Sequence, residues 1–173
     1  MPLAAVSASN PMAVWALVFL VVTFPFCIYA TWSDLKYLKI PNIVPISMVI
    51  LFIIIGPMVL PLQEYWRSLL YGFIALLASI AIFAAGLIPG GDLKFTTAII
   101  PFVNTYELVS FAMFVSLCAL TAVATHLVFG WLGLAPKGWQ SWEGGGWRRR
   151  FPVGFALSGG LITYLCAHFI LPV

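Results

Sequence analysis

The sequence predicts an all-α integral membrane protein, a single bundle of about six transmembrane helices with a short or broken fourth helix. Three observations predict it. Only 8% of the 173 residues are charged and the mean hydropathy is +1.09, whereas a soluble domain carries roughly 25% charged residues. The apolar runs are long and continuous, close to the ~20 residues that cross a hydrocarbon core. They lack the alternation over about ten residues that marks a transmembrane β-barrel. The length suits one membrane-embedded domain over residues 1–173, and no repeat or low-complexity linker divides it.

The elements follow in order. Residues 1–11 form a small, uncharged tail without the basic region of a signal peptide. The first span is expected at about 12–31, kinked at Pro25. Trp32 then marks the interface, and Asp34, Lys36 and Lys39 are read as a short polar loop. Pro41 and Asn42 open the second span, about 42–61, because proline suits a first helical turn whose N–H lacks a partner anyway. Residues 63–67, with Glu64, Tyr65, Trp66 and Arg67, are read as a loop carrying an aromatic belt.

The third span is expected at about 68–88, where Gly72, Ala75, Ala78, Ser79 and Ala85 permit close helix approach. Pro89, Gly90, Gly91 and Asp92 read as a break. Residues 93–103 are apolar but too short for an upright span, and Pro101 and Asn104 close them off. Such irregular backbone is tolerated at membrane depth only where protein or water covers it. Asn104 and Glu107 have the spacing of a helix-capping box before a long fifth span at about 106–132. The polar stretch 134–150 holds Lys137, Trp139, Trp142, Trp147, Gly144–Gly146 and Arg148–Arg150, and the sixth span is expected at about 151–171.

Six spans put both termini on one side. Seven basic residues (Lys36, Lys39, Lys94, Lys137 and Arg148–Arg150) collect on the opposite side, against Arg67 alone on the side of the termini. The positive-inside rule then places the termini outside and both Asp34 and Asp92 at the cytoplasmic face. The net charge of +3 therefore speaks to topology and membrane lipid, not to nucleic acid.

Asp34 and Asp92 are the candidate working pair, since an acid beside hydrocarbon-length segments is costly unless something uses it. Each has a plainer reading: Asp34 as a juxtamembrane charge, Asp92 as a wet turn residue after two glycines. Two carboxylates brought together do not easily both ionise, so one keeps a proton and the pair supplies a base and an acid. Gly90 and Gly91 let backbone and substrate approach the acid closely. Lys94 is either an inside-facing anchor or a cation that tunes Asp92. Arg148–Arg150 are a stop against translocation or a site for anionic lipid.

Cys27, Cys118 and Cys166 are isolated in apolar segments, with no C-x-x-C pair, so they read as buried structural residues and no metal or cofactor is expected. His126 and His168 read as packed or interfacial, Glu107 as a cap and Glu64 as solvated.

At these residues the sequence resembles the prepilin peptidases, membrane aspartyl proteases that remove leader peptides from type IV pilin precursors. Asp34 followed by Ile40-Pro41-Asn42 is similar to one motif of that family. Pro89-Gly90-Gly91-Asp92 followed by Lys94 is similar to its G-x-G-D motif, with Pro89 in place of the first glycine. Phe151-Pro-Val-Gly154 resembles the start of the family's last span. The resemblance implies catalytic Asp34 and Asp92, supported by Gly90, Gly91, Lys94, Pro41 and Asn42, with a pilin precursor as substrate and pilus assembly or secretion machinery as a partner. It also implies the inner membrane. The paired C-x-x-C motifs of the long members are missing, so the chain is similar to the short, non-methylating form associated with tight-adherence (Flp-type) pili. An archaeal preflagellin peptidase is a related possibility. The rival classes are a small transporter or proton-conducting subunit and a non-enzymatic assembly partner. A transporter would hold its acids near mid-membrane, whereas both acids here lie at span ends.

Overall fold

A computed structural model describes residues 11–37, 39–88, 90–133 and 153–170. The expectations for residues 1–10, for Pro89, for the polar stretch with its tryptophans and Arg148–Arg150, and for Phe151 and Pro152 lie outside the described residues, as does the side chain of His126. The described residues form six helices: α1 Pro11–Tyr37, α2 Ile43–Val59, α3 Leu62–Ala84, α4 Gly90–Ile99, α5 Leu108–Trp131 and α6 Val153–Ile170. No strand occurs among the described residues. α1, α3, α6 and the segment Thr105–Phe129 around α5 are long and apolar enough to cross a membrane, and α2 is a shorter apolar helix of 17 residues. The chain is thus an all-α, multi-pass membrane protein.

Three boundaries differ from expectation. α1 continues through Trp32 to Tyr37, so Asp34 stands on its last turns and not in a loop. No glycine or proline interrupts that stretch before Pro41, and a partner for the Asp34 side chain comes from another helix, as described below. α3 starts at Leu62, so residues 63–67 are helical and not a loop. Pro61 precedes its first turn, where the Pro61 carbonyl accepts from Tyr65 N–H at 2.9 Å, and Glu64 in that turn complements the positive helix end. The break before α4 falls earlier than Pro89-Gly-Gly-Asp: the chain turns at Gly86, where φ is +71°, and Gly90, Gly91 and Asp92 already form the first turn of α4. Only glycine takes that φ without strain.

The short fourth helix is present as expected. Its ten residues pass into a 3-10 turn at Ile100–Phe102 and end at Val103. The side of α4 is covered by α2, α3 and α6. Gly72 of α3 lies against Pro101, where an added Cβ would come within 2.8 Å of the proline ring. Ser79 and Thr97 share a hydrogen bond of 2.9 Å between the same two helices. At the core, the rings of Phe19, Phe52 and Phe102 meet edge-on or tilted at 5.1 to 5.8 Å between centroids, joining α1, α2 and the 3-10 turn. α6 packs against both α1 and α5. Gly159 and Gly160 admit Cys118 and Val115 of α5 at the crossing.

At the end of the bundle away from Asp34 lies a polar knot. Asn104 Oδ1 accepts from Tyr106 N–H at 3.1 Å, but Glu107 does not complete a capping box. Its carboxylate instead accepts from Tyr164 Oη at 3.0 Å and pairs with His168 Nε2. Tyr164 Oη in turn accepts from the Asn104 N–H at 3.0 Å. Glu107 is therefore a tertiary tie between α5 and α6. Half-buried among apolar side chains, its charge is better satisfied by a hydroxyl and an imidazole than by the chain's own amide.

Candidate active site

The last turns of α1 carry Asp34, which is only 4% exposed. Its partners come from the opposite end of the sequence. Asp34 Oδ2 accepts from the Gly154 N–H at 2.7 Å, and the Phe155 amide also donates to the carboxylate. Both amides belong to the first turn of α6, where N–H groups have no partner within the helix. Asp34 thus caps α6 from another helix, and the positive helix end favours a carboxylate there. Position 154 has no room for a side chain: an added Cβ would lie 2.9 Å from Asp34 Oδ2 and 2.9 Å from Ile40 Cδ1.

After α1 the chain doubles back beneath the same end. Ser33 Oγ donates to the Lys39 carbonyl at 2.7 Å, and the Pro41 carbonyl accepts from Val44 N–H at 3.1 Å as α2 begins. Ile40, between these anchors, is 4% exposed. Its amide nitrogen lies near Gly91, where a Cβ would stand 3.9 Å away. The two glycines before Asp92 serve different purposes. Gly90 makes space for the ring of Phe83, which a Cβ would meet at 3.1 Å, while a Cβ at Gly91 would stand in ordinary contact with the Ile40 nitrogen at 3.9 Å.

Asp92 sits in the first turn of α4, where the positive helix end should hold a carboxyl low. Burial outweighs that, and the charge of Asp34 adds to it, so the Asp92 carboxyl is raised from 3.8 to about 6. Lys94 does not tune Asp92. Its Nζ donates to Asn42 Oδ1 at 3.3 Å, which ties the start of α4 to the start of α2.

The structure therefore gathers Asp34, Pro41, Asn42, Gly90, Gly91, Asp92 and Lys94 at one end of the bundle. It adds Ser33, and it places there Ile40 and Gly154, which the sequence reading named only as parts of motifs. The signal for Gly154 was present: a glycine shortly after the Arg148–Arg150 run, where a helix begins. What was not legible is which acid its amide would meet. Among the described residues no group of three or more His, Cys, Asp or Glu side chains is placed to hold a metal ion.

An all-α, multi-pass membrane protein with two carboxyl groups near one another at one bundle end is the class that fold and site define. The model of the type IV leader peptidase family matches residues 21–125, more than half of the chain, and the chain belongs to that family. Membership makes it a peptidase. The matched stretch contains both acids and both motifs, and Gly154 lies beyond it. No curated protein and no solved structure matches the chain.

Proposed function

We propose that this protein is an aspartic endopeptidase that removes the leader from type IV pilin precursors of the Flp kind, with Asp34 and Asp92 as its catalytic pair. The observation that carries the reading is the unequal setting of the two acids. Both carboxyls are buried, but Asp34 is held by two α6 amides, whereas Asp92 also meets the charge of Asp34, which raises it further. A carboxyl raised by a neighbouring negative charge is the one that keeps the proton.

Asp34 is then the base and Asp92 the acid. Asp34 takes a proton from water as that water's oxygen bonds to the scissile carbonyl carbon. Asp92 hydrogen-bonds the carbonyl oxygen and donates its proton as the tetrahedral intermediate forms. Collapse breaks the C–N bond: the proton held by Asp34 leaves on the amine, and Asp92 takes back a hydroxyl proton as the new carboxyl group forms. No covalent enzyme intermediate is required.

The precursor's apolar helix would lie in the inner membrane with its leader in the cytoplasm. The excess of basic residues on the side of Asp34 and Asp92 supports that orientation, with both termini outside. The short-form reading, cleavage without methylation, rests on the missing C-x-x-C pairs.

Co-expression with an Flp-type pilin precursor tests this. Leader loss seen as a gel shift is expected with the wild type. It should vanish with Asp34→Asn or Asp92→Asn at unchanged protein level, because Asn keeps the size of Asp but cannot exchange the proton. Cleavage by either variant would remove that aspartate from the mechanism.

A further inference from the structure

We propose that the apolar membrane helix of the substrate seats in the groove between α3 and α5, and that this groove is the lateral entrance to the site. The inference rests on the peptidase reading above and names where the membrane segment of the substrate is held.

Three observations carry it. First, one side of α4 is left without a helix packed on it among the described residues. Gly90, Thr97 and Pro101, on α4 and its 3-10 turn, meet Phe83, Ser79 and Gly72 of α3. Gly91 and Lys94 lie on the side of Ile40 and Asn42, before α2. Side chains recur on one helix face every three or four residues, and Asp92, Thr96 and Ile100 share a remaining side, each of them partly exposed. α5 packs along α6 and does not close that side. Thr96 Oγ1 donates to the Asp92 carbonyl at 2.9 Å, so the open face leads directly to the turn that holds Asp92.

Second, the groove is closed at one end and open at the other. At the end away from the carboxyls, Arg67 of α3 donates to Tyr106 Oη and lies 4.8 Å from the centre of its ring, just before α5 begins. From there α3 and α5 run towards the end that holds Asp92 without packing on each other. A membrane helix between them has one end beside Asp92, in the orientation proposed above for the precursor. The other flank is shut: Asp34 is 4% exposed against the start of α6, and α6 lies along α1.

Third, both walls suit a helix. Ala78 lies about three turns after Arg67 on the same face of α3. Small residues let helices approach closely, and close packing is what drives association in lipid, where burial of apolar surface does not. On α5 a concavity of about 300 Å³ opens over Ser110, Met113, Phe114 and Leu117. The Phe114 ring meets that of Tyr164 edge-on at 6.2 Å, and Tyr164 Oη accepts from the Asn104 N–H just beyond the 3-10 turn that ends α4. This wall therefore faces the side of α4. A helix seated here is gripped along its length, and only its end reaches the carboxyls.

The test uses the full-length protein in liposomes with an Flp-type precursor. A photoreactive benzoyl-phenylalanine replaces Ala78, Leu117 or, as a control, Val21 on the outer face of α1, which is 64% exposed. Illumination should join positions 78 and 117, but not 21, to the precursor or to its cut helix. In a second arm Ala78→Trp fills the groove. It should raise KM about tenfold or more and change kcat by less than about threefold, the pattern of lost binding and not of damaged chemistry. Val21→Trp should leave both within about twofold. The proposal is overturned if either wall gives no adduct with the substrate while the precursor is cut, whether lipid or a second copy of the peptidase is captured instead. Adducts from position 21 as strong as those from the walls overturn it too, as does an unchanged KM in Ala78→Trp. If that variant fails to accumulate, the adducts decide. A precursor left uncut by the wild type would instead refute the peptidase reading itself, so the two failures are distinct.

Discussion

Gly154→Ala is the most searching single change, because it adds one methyl group to a residue remote in sequence from both acids. The added carbon would stand 2.9 Å from Asp34 Oδ2, 2.9 Å from Ile40 Cδ1 and 3.1 Å from Asp34 Cβ. Ordinary contact begins near 3.4 Å, so the Asp34 carboxylate or the start of α6 must give way by about half an ångström or more. Neither can do so freely. Asp34 is gripped by two amides of the very turn that carries the new methyl, and Ile40 is pinned between the Ser33 and Val44 bonds. Overpacking of this kind costs roughly 1–3 kcal/mol of stability. A displacement approaching 1 Å at a catalytic group can cost about 10²-fold in rate.

The expected result is therefore a loss of leader cleavage far larger than the loss of folded protein. Gly159→Ala on the same helix is the control. Its Cβ would meet Cys118 Sγ at 3.2 Å, the end of a side chain on α5 and away from the carboxyls. Initial cleavage rates and membrane levels of the two variants, measured side by side, separate site geometry from helix packing. Wild-type cleavage by Gly154→Ala at wild-type level would refute the claim that α6 positions Asp34.

The remaining expectations concern charge. The Asp92 carboxyl, raised to about 6 from 3.8, binds more protons folded than unfolded between those values, so it contributes stability below that window that is lost as pH rises through about 6. Asp92→Asn should accordingly raise the thermal midpoint in detergent at pH 8 and change it little at pH 4; equal shifts at both would contradict the assigned cause. Cleavage should follow a bell-shaped pH profile with an alkaline limb belonging to the pair, measured as initial rate against pH, and a rate still climbing well above pH 6 would count against Asp92 as proton donor. Glu107→Gln breaks the tie to Tyr164 and His168 at the other end, and should lower the thermal midpoint by the equivalent of about 1–3 kcal/mol while cleavage at low temperature persists; Glu64→Gln, on an exposed side chain, should do neither.

Much of this was legible in the sequence, and the parts that were not share a physical cause. Span positions follow from hydrocarbon length, which is why α2, α5 and α6 fall close to expectation. The short fourth helix was readable from Pro101 and Asn104. The ends of α1 and α3 were misjudged because charge was taken to end a helix. A charged residue can stay helical when another element satisfies its side chain, and neither the α6 amides that hold Asp34 nor the ring of Tyr106 above Arg67, 4.8 Å away, can be seen from local sequence. Glu107 failed for the same reason. Its spacing from Asn104 suits a cap, yet Tyr164 and His168, more than fifty residues later, outbid that local bond.

The two acids reach the site by different supports, and this bears on how the site works. Asp34 and Ile40 are fastened to α6 and to the start of α2, whereas Asp92 rides on α4, which α2, α3 and α6 cover. The Lys94–Asn42 hydrogen bond, with both side chains exposed, and the close approach of Gly91 to Ile40 join the start of α4 to the chain before α2. The aspartates themselves repel when both are charged, as the raised Asp92 carboxyl records. A shared proton would turn that repulsion into attraction.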